Sequence, residues 1–187
     1  MIDKEALLWF PMRVTYSREQ KIKVRLDELG VESFIPMEYR KVNYRWELVP
    51  AVNNLIFIHT NYNYLNDIKR TQKELLPLRY YMHTVLNEGM EKTEVLTVPD
   101  RQMADFIRVS ASYDEKVLHL QNMVFACRPG AKVQIAEGPF AGVKGVVKHI
   151  KKNLCVVIAI RDIAAIAIRN VPKKSLVYLS DEEFEEE

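Results

Sequence analysis

Cysteine is scarce in this chain of 187 residues, with Cys127 and Cys155 as the only two. They lie far apart and neither has a second cysteine at CxxC spacing, so two free thiols are expected. Two free thiols fit a reducing compartment. The first residues, Met-Ile-Asp-Lys-Glu, also lack the apolar segment of a secretory signal. The sequence therefore predicts a cytoplasmic protein.

Long apolar runs are absent as well. The longest, residues 154–168, is interrupted by Arg161 and Asp162, and it is shorter than the roughly 20 residues that a membrane-spanning helix needs. Its valine, isoleucine and alanine residues predict two buried strands instead, at 154–160 and 164–168, joined by a turn. No membrane partner is expected.

Catalytic and metal-binding motifs are missing too. The histidines are scattered at His59, His83, His119 and His149, without the HExxH spacing of zinc enzymes. The sequence has no GxSxG nucleophile motif and no Gly-Lys-Ser/Thr phosphate loop. No catalytic residue, metal ligand or cofactor is therefore predicted. A small-molecule enzyme would need a cluster of ionisable residues that the sequence does not offer, so the chain is interpreted as a binding protein.

The net charge of +2 hides an uneven distribution along the chain. Residues 180–187 carry six acids and no base, so the remainder has 27 bases against 19 acids and a net charge of +8. A basic body fits a polyanionic partner, and an acidic tail can weaken its non-specific contacts. The tail itself is expected to be solvated and disordered.

Residues 130–147 carry the most distinctive pattern of the chain. Apolar and polar residues alternate through a first strand, the chain turns through Glu-Gly-Pro-Phe, and a second strand starts after Gly145. Gly138, Gly142 and Gly145 would allow a small sheet to bend sharply and another backbone to approach closely. Phe140 is either an exposed contact for a partner or packed on the rim of the sheet. The segment resembles a KOW motif, and an ordinary glycine-rich hairpin is the alternative.

The first part of the chain has the pattern of a mixed α+β domain. A strand at 6–14 precedes a helix that Ser17 and Gln20 would begin as a capping box and Gly30 would end. A strand follows at 31–35, which gives a β-α-β unit of the right length for a parallel pair. A hairpin, further strands and two more helices complete a sandwich in which helices cover a mostly antiparallel sheet.

Three bases share one face of the first helix. Arg18, Lys21 and Arg25 lie at i, i+3 and i+7, and such a stripe can follow the phosphates of a nucleic acid. Tyr16, just before the helix, could stack on an unpaired base. A solvated helix face with acids nearby would give the same pattern. Residues 39–46, which interleave bases with aromatics, are a second candidate for nucleic-acid contact, with an ordinary hairpin as the alternative.

Several segments resemble the NusG family. Residues 9–10 (Trp-Phe), 15–21 (Thr-Tyr-Ser-Arg-Glu-Gln-Lys), 34–36 (Phe-Ile-Pro) and 49–59 occur in the order and spacing of a NusG N-terminal domain. With the KOW-like segment, the resemblance covers about residues 7–179. It is closest to the specialised UpxY-type paralogues, which are transcription antiterminators of polysaccharide loci in Bacteroides.

The resemblance implies a domain order as well as a fold class. It implies an α+β protein with a NusG N-terminal-type α/β sandwich at 6–112 and a linker at 113–128. A small KOW (SH3-like) β-barrel would follow at 129–179, with the acidic tail at 180–187. KOW barrels of this family bind a ribosomal small-subunit protein or mask the polymerase-binding face, and the glycine-rich turn with Phe140 would provide such contacts.

NusG N-terminal domains dock a hydrophobic depression onto the clamp helices of the largest RNA polymerase subunit and favour processive elongation. A Phe-Pro-Gly-Tyr-like segment helps to line that depression, and the matching positions here are Val52, Asn53, Asn54 and Leu55. The Pro-Gly turn and the tyrosine are missing. Val52, Asn54 and Leu55 are therefore candidate polymerase contacts, with a role in the core as the alternative for the apolar pair.

In specialised paralogues the face around the first helix contacts the exposed non-template DNA strand. The resemblance implies this role for Tyr16, Arg18 and Lys21, and Arg25 is a candidate through the basic stripe that it shares with Arg18 and Lys21. It implies a monomeric transcription elongation and antitermination factor that serves a specific operon. A ribosome- or RNA-associated KOW protein without polymerase contact is the alternative, and co-purification with ribosomal RNA would favour it.

Overall fold

The computed structural model of the protein describes residues 3–87, 89–121, 123–126 and 128–185. Cys127 and the last two residues of the acidic tail lie outside these ranges. The strands are β1 (Leu8–Val14), β2 (Glu32–Phe34), β3 (Met37–Val42), β4 (Arg45–Pro50), β5 (Leu55–Thr60), β6 (Leu78–Tyr80), β7 (Met82–Asn87), β8 (Met90–Val95), β9 (Val117–His119), β10 (Lys132–Ile135), β11 (Lys144–Ile150), β12 (Asn153–Ile160), β13 (Ala164–Arg169) and β14 (Leu176–Tyr178). The helices are α1 (Glu19–Glu28), α2 (Tyr62–Thr71), α3 (Asp100–Ser110), α4 (Met123–Ala126) and α5 (Asp181–Glu185).

The chain divides into two compact units, which are described separately here. The first unit combines Met1–Pro36 with Val52–Asp100, and the second combines Met37–Ala51 with Arg101–Glu187. This division differs from the predicted domain boundaries, because the hairpin β3–β4 and nearly all of α3 group with the C-terminal strands. The predicted linker at 113–128 is also more than a connector, since it contributes β9 to the C-terminal sheet. Among the described residues, no helix is both long enough and apolar enough to cross a membrane.

The first unit is built on a four-stranded sheet in the order β2-β5-β1-β6, and all neighbouring strands are antiparallel. The predicted parallel pair of β1 and β2 is therefore wrong, because β5 lies between them. The reason is the apolar run of β5, whose residues 55–58 are fully buried. A short continuous apolar run of this kind belongs at the centre of a sheet, where both of its faces are covered.

The sequence predicts the C-terminal end of α1 correctly and its N-terminal end incorrectly. At its C-terminal end, Gly30 has a φ of +69°, and the N–H groups of Gly30 and Val31 donate to the carbonyls of Asp27 and Leu26. This is a Schellman motif, so the predicted glycine cap is confirmed. At the other end the predicted capping box is wrong. Arg18 occupies the N-cap without a side-chain hydrogen bond, because Ser17 is held elsewhere.

The second unit contains a six-stranded antiparallel sheet in the order β14-β10-β11-β12-β13-β9. Strands β12 and β13 confirm the two buried strands that were predicted from the apolar run. Strands β14 and β9 form the two edges, so the pairings among the described residues leave the sheet open. The mixed α/β class is confirmed, whereas a closed KOW barrel stays a prediction.

The backbone conformation of the turn between β10 and β11 depends on its glycines. Gly138 and Gly142 have φ values of +92° and +89°, which a residue with a side chain rarely adopts. At Gly145 a side chain is excluded because there is no space for it. A Cβ there would lie 2.6 Å from Cγ1 of Val156 and 2.8 Å from the carbonyl oxygen of Val157. The predicted close approach of another backbone is thus the approach of β12 to β11.

The acidic tail differs from the expectation of disorder. Residues Asp181–Glu185 form the short helix α5, and Ser180 begins it with a reciprocal capping box. The backbone N–H of Ser180 donates to the carboxylate of Glu183 at 2.7 Å, and the N–H of Glu183 donates to the Ser180 hydroxyl at 3.2 Å. Lys132 adds an ion pair to Asp181 at 3.1 Å. Local capping and a neighbouring base therefore order this acidic segment.

Candidate nucleic-acid and partner interface

The segment between β1 and α1 has an unusual backbone conformation. Tyr16 and Ser17 have φ values of +66° and +47°, so two consecutive residues other than glycine lie in the left-handed region. Such a conformation costs on the order of 1–3 kcal/mol per residue unless surrounding contacts enforce it. The contacts that hold Tyr16 and Ser17 in this conformation therefore determine the direction in which their side chains project.

Asn54, immediately before β5, provides those contacts. Its side-chain oxygen accepts hydrogen bonds from the backbone N–H of Ser17 at 3.0 Å and from the Ser17 hydroxyl at 3.4 Å. Its carbonyl oxygen accepts the N–H of Val14 at 2.9 Å. Asn54 itself has a φ of +60°, a conformation that asparagine tolerates better than most residues. Its side chain thus positions the loop before α1.

Glu19 completes the support of this loop. It is the first residue of α1 and only 4% exposed. Its Oε1 atom accepts the backbone N–H of Asn54 at 3.2 Å, and its Oε2 atom is buried without a hydrogen-bond partner among the described residues. A carboxylate at the first turn also interacts favourably with the positive end of the helix dipole. Glu19 therefore links the start of α1 to the residue that fixes the loop.

The loop presents an aromatic ring together with positive charge. Tyr16 is 83% exposed, and the guanidinium carbon of Arg18 lies 5.6 Å from the centre of its ring. Arg18 and Lys21 are both exposed. An exposed ring beside a cation can stack on an unpaired base while the cation contacts a phosphate. The structure thus brings Tyr16 and Arg18 together, and Lys21 is exposed in the first turn of α1.

Arg25, the fourth predicted residue, is engaged within the protein. Its guanidinium forms an ion pair with Glu28 at 2.6 Å and donates a hydrogen bond to the side-chain oxygen of Gln72 at 2.6 Å. It is only partly exposed. Its contribution to a phosphate-binding face is therefore smaller than the helical spacing suggested.

The predicted polymerase contacts separate into different environments. Leu55 is fully buried in β5, so it belongs to the core and its side chain offers no surface to a partner. Asn54 holds the loop before α1, as described above. Val52 is half-buried and keeps part of its side chain accessible. The core alternative is therefore the right one for Leu55.

The glycine-rich turn is held by α3, an interaction that the sequence analysis missed. The guanidinium of Arg108 donates to the carbonyl oxygens of Ala141 and Pro139, both at 2.8 Å. The carboxylate of Asp105 accepts the backbone N–H of Lys144 at 3.1 Å. The sequence shows that Asp105 and Arg108 lie one helical turn apart on α3, but no pattern in it indicates which residues they contact.

Phe140 and Asp105, two side chains of this region, are buried or partly buried. Phe140 is only 6% exposed, so the structure favours packing at this position over an exposed contact. Asp105 is partly buried, and burial raises the pKa of its carboxyl group, while the hydrogen bond from Lys144 and the nearby arginines oppose that rise. The turn is therefore held by α3 and by the packing of Phe140, while residues 136–139 are exposed.

The hairpin β3–β4 carries the second predicted nucleic-acid segment. At its tip, Tyr44 is 93% exposed, and the ammonium of Lys41 lies 5.8 Å from the centre of its ring. Arg40, by contrast, forms an ion pair with Glu38 at 2.5 Å. The tip of the hairpin thus combines an exposed ring with a cation.

Within the ranges that the structure covers, no group of three or more histidine, cysteine, aspartate or glutamate side chains is arranged to hold a metal ion. The main surface features are exposed cations beside exposed aromatic rings. In the loop before α1, hydrogen bonds hold the backbone that carries them in a strained conformation. Such an arrangement is chemically suited to contact with a polyanion or with another protein.

A comparison with protein families agrees with this description. Residues 7–107 match the family model of NusG, described as transcription termination factor nusG. No curated protein matches the chain. The family match covers more than half of the sequence and extends from the residue before β1 into α3. The chain therefore belongs to the NusG family and is a NusG-like transcription factor.

Proposed function

We propose that this protein is a transcription elongation and antitermination factor that binds RNA polymerase and has no catalytic activity of its own. The family match over residues 7–107 supports the proposal, because this segment contains the whole sheet of the first unit and the loop before α1. The polymerase contact would be the clamp helices of the largest subunit, with Val52 at the edge of the contact surface.

The mechanism follows from differential binding. A factor that braces the closed clamp promotes processive transcription only if it binds the elongating conformation more tightly than the paused one. At saturating factor, the ratio of paused to elongating complexes then falls by the ratio of the two affinities, and paused complexes precede termination. No bond is made or broken by the factor itself.

Contact with the non-template DNA strand would come from the loop before α1. The observation that carries this part is the exposed pair of Tyr16 and Arg18, held by the hydrogen bonds of Asn54. Tyr16 would stack on an unpaired base, while Arg18 and Lys21 would bind phosphates. A preformed loop loses little conformational entropy when it binds, which favours recognition.

The finer assignment is a specialised paralogue of the UpxY type, a cytoplasmic monomer that serves a polysaccharide operon. The C-terminal sheet would be its KOW module, supported by the glycine-rich turn and the close approach of β11 and β12. That module would contact a ribosomal small-subunit protein or cover the polymerase-binding face.

Transcription in vitro tests the proposal. The dwell time at a defined pause is measured with intact polymerase and with polymerase that lacks the clamp helices. We expect the protein to shorten the pause with the intact enzyme only. An unchanged pause, together with co-purification of ribosomal RNA, would replace the proposal by the RNA-associated alternative.

A further inference from the structure

The second unit contains a cavity of about 390 Å³ between the hairpin β3–β4 and the segment that runs from the end of α3 to β9. A volume in this range is typical of sites for small organic groups. The candidate contacts in the loop before α1 and before β5 do not line it, whereas Tyr39 and Trp46 of the 39–46 segment do. We propose that this cavity binds an organic cation, either a guanidinium or an alkylammonium group.

Aromatic rings form the walls of the cavity. The rings of Tyr39 and Tyr113 meet edge to face, with 5.6 Å between their centres and an angle of 64°. Trp46 lines the same cavity and is 71% exposed. The faces of tyrosine and tryptophan rings attract cations, and tryptophan does so most strongly. Three such rings at one cavity therefore favour a positively charged ligand with an apolar stem.

Carboxylates supply the complementary charge. Glu38, Asp114 and Glu115 line the cavity, and no lysine or arginine is among the described residues that do so. Asp114 uses one oxygen to accept the backbone N–H of Lys116 at 2.7 Å, and Glu115 is exposed. Glu38 is partly neutralised by Arg40 at 2.5 Å. Asp114 and Glu115 thus carry the negative charge that a cation would meet.

The remaining polar wall does not cancel this charge. His119 is 8% exposed and lies 3.4 Å from Glu38, while its other ring nitrogen pairs with the hydroxyl of Ser110 at 3.1 Å. Burial lowers the pKa of His119, against the opposing influence of Glu38. A neutral imidazole at pH 7 therefore leaves the cavity negative.

The same features exclude other ligand classes. The carboxylates would repel phosphates. We therefore assign Tyr39 and Trp46 to cation binding, and the tip of the hairpin is the part of it suited to nucleic acid. The carboxylates do not converge as the ligands of a metal ion would. A basic side chain of a partner protein and a free polyamine both present the required group, and this inference is independent of polymerase binding.

The test titrates the full chain with arginine amide and with spermidine and follows the indole N–H signal of Trp46 by NMR. Trp46→Phe assigns that signal, and the buried Trp9 provides an internal reference. We expect saturable shifts of the Trp46 signal with at least one of the two cations. Tighter binding of arginine amide indicates a protein partner, and tighter binding of spermidine indicates a free polyamine.

Matched variants separate the cavity from general charge effects. Tyr113→Leu and Asp114→Asn should each weaken binding about two- to fivefold, since each removes one cation-binding group. The controls, Tyr178→Leu and Glu91→Gln, change exposed residues of similar chemistry outside the cavity and should leave binding unchanged. Absence of a shift at Trp46, equal losses in variants and controls, or shifts with a single-stranded oligonucleotide alone would overturn the proposal.

Discussion

The side-chain oxygen of Asn54 accepts the backbone N–H of Ser17 at 3.0 Å, across 37 residues of chain. This contact joins the residue before the central strand β5 to the loop that displays Tyr16 and Arg18. Because Asn54 also bonds Val14 and Glu19, the loop is fixed by the most buried strand of the first unit. In the proposed contact with DNA, the display of Tyr16 and Arg18 would therefore depend on a residue that need not touch the nucleic acid.

Replacing Asn54 should weaken both stability and recognition. Asn54→Ala removes the acceptor for Ser17 and places alanine at a φ of +60°, so the free energy of unfolding should fall by about 1–3 kcal/mol. Urea denaturation of the full chain measures this loss. Asn53→Ala, at the exposed neighbouring position, is the control and should change stability little.

A second variant separates backbone strain from the lost hydrogen bond. Asn54→Gly keeps the positive φ available but still lacks the side-chain acceptor. We expect it to be more stable than Asn54→Ala and yet equally weak in binding a single-stranded DNA. Full DNA binding by Asn54→Gly would show that the hydrogen bond to Ser17 does not position the loop.

Charge reversal in the loop should affect DNA more than polymerase. Arg18→Glu with Lys21→Glu replaces two phosphate contacts by repulsion, so DNA-dependent recruitment to an elongation complex should fall and its salt dependence should become shallower. Binding to polymerase without an exposed non-template strand should change little. Recruitment at several salt concentrations measures the effect.

Lys151→Glu with Lys152→Glu is the matched control, because it makes the same change of charge at an exposed turn of the second unit. It should leave DNA-dependent recruitment near the wild-type level. Equal losses of recruitment and polymerase binding in the loop variant, or loss of neither, would remove the DNA assignment from Arg18 and Lys21.

The support of the glycine-rich turn depends on the forked guanidinium of Arg108. Arg108→Lys keeps the charge but loses the two parallel N–H donors that reach Ala141 and Pro139. We expect a loss of about 1 kcal/mol in stability and faster hydrogen exchange of the amides at 141–143. Arg101→Lys should have a smaller effect, since Arg101 reaches Gly142 only at 3.5 Å. Unchanged exchange in Arg108→Lys would contradict the account.

His119 should make the protein less stable in mild acid. Burial lowers the pKa of His119 in the folded protein, whereas the unfolded chain keeps a histidine pKa of about 6.5. As the pH falls below that value, the unfolded state binds a proton that the folded state resists, so the free energy of unfolding decreases. Denaturation curves between pH 7 and pH 5 measure this slope.

His119→Gln should flatten the slope, and His149→Gln, at an exposed position, should leave it unchanged. Glu38→Gln should steepen the slope, because Glu38 is the group that favours protonation of His119. A slope that is the same in His119→Gln as in the parent protein would contradict this assignment.

The features that sequence predicted well depend on local interactions. The glycine cap at Gly30 and the strands β12 and β13 follow from backbone preference and from runs of apolar residues. The glycine-rich turn belongs to the same class, since positive φ angles at Gly138 and Gly142 restrict which residues fit. Each of these features is determined within about a dozen neighbouring residues.

The features that sequence missed depend on distant segments. Ser17 has the pattern of a helix cap, yet the side chain of Asn54 competes for it from 37 residues away. Leu55 has the pattern of a strand end near a surface, but it pairs with Arg13 of β1 and is fully buried. The aromatic cavity requires the hairpin β3–β4 to meet β9, which no local pattern indicates. Tertiary pairing therefore decided the environment of these side chains.

The central claim is that this chain binds RNA polymerase in its elongating state. The most direct test is gel filtration of the purified protein with a reconstituted elongation complex, prepared with and without the clamp helices of the largest subunit. We expect the protein to co-migrate with the intact complex and to elute separately when the clamp helices are deleted. Separate elution from the intact complex, with or without an exposed non-template strand, would contradict the claim.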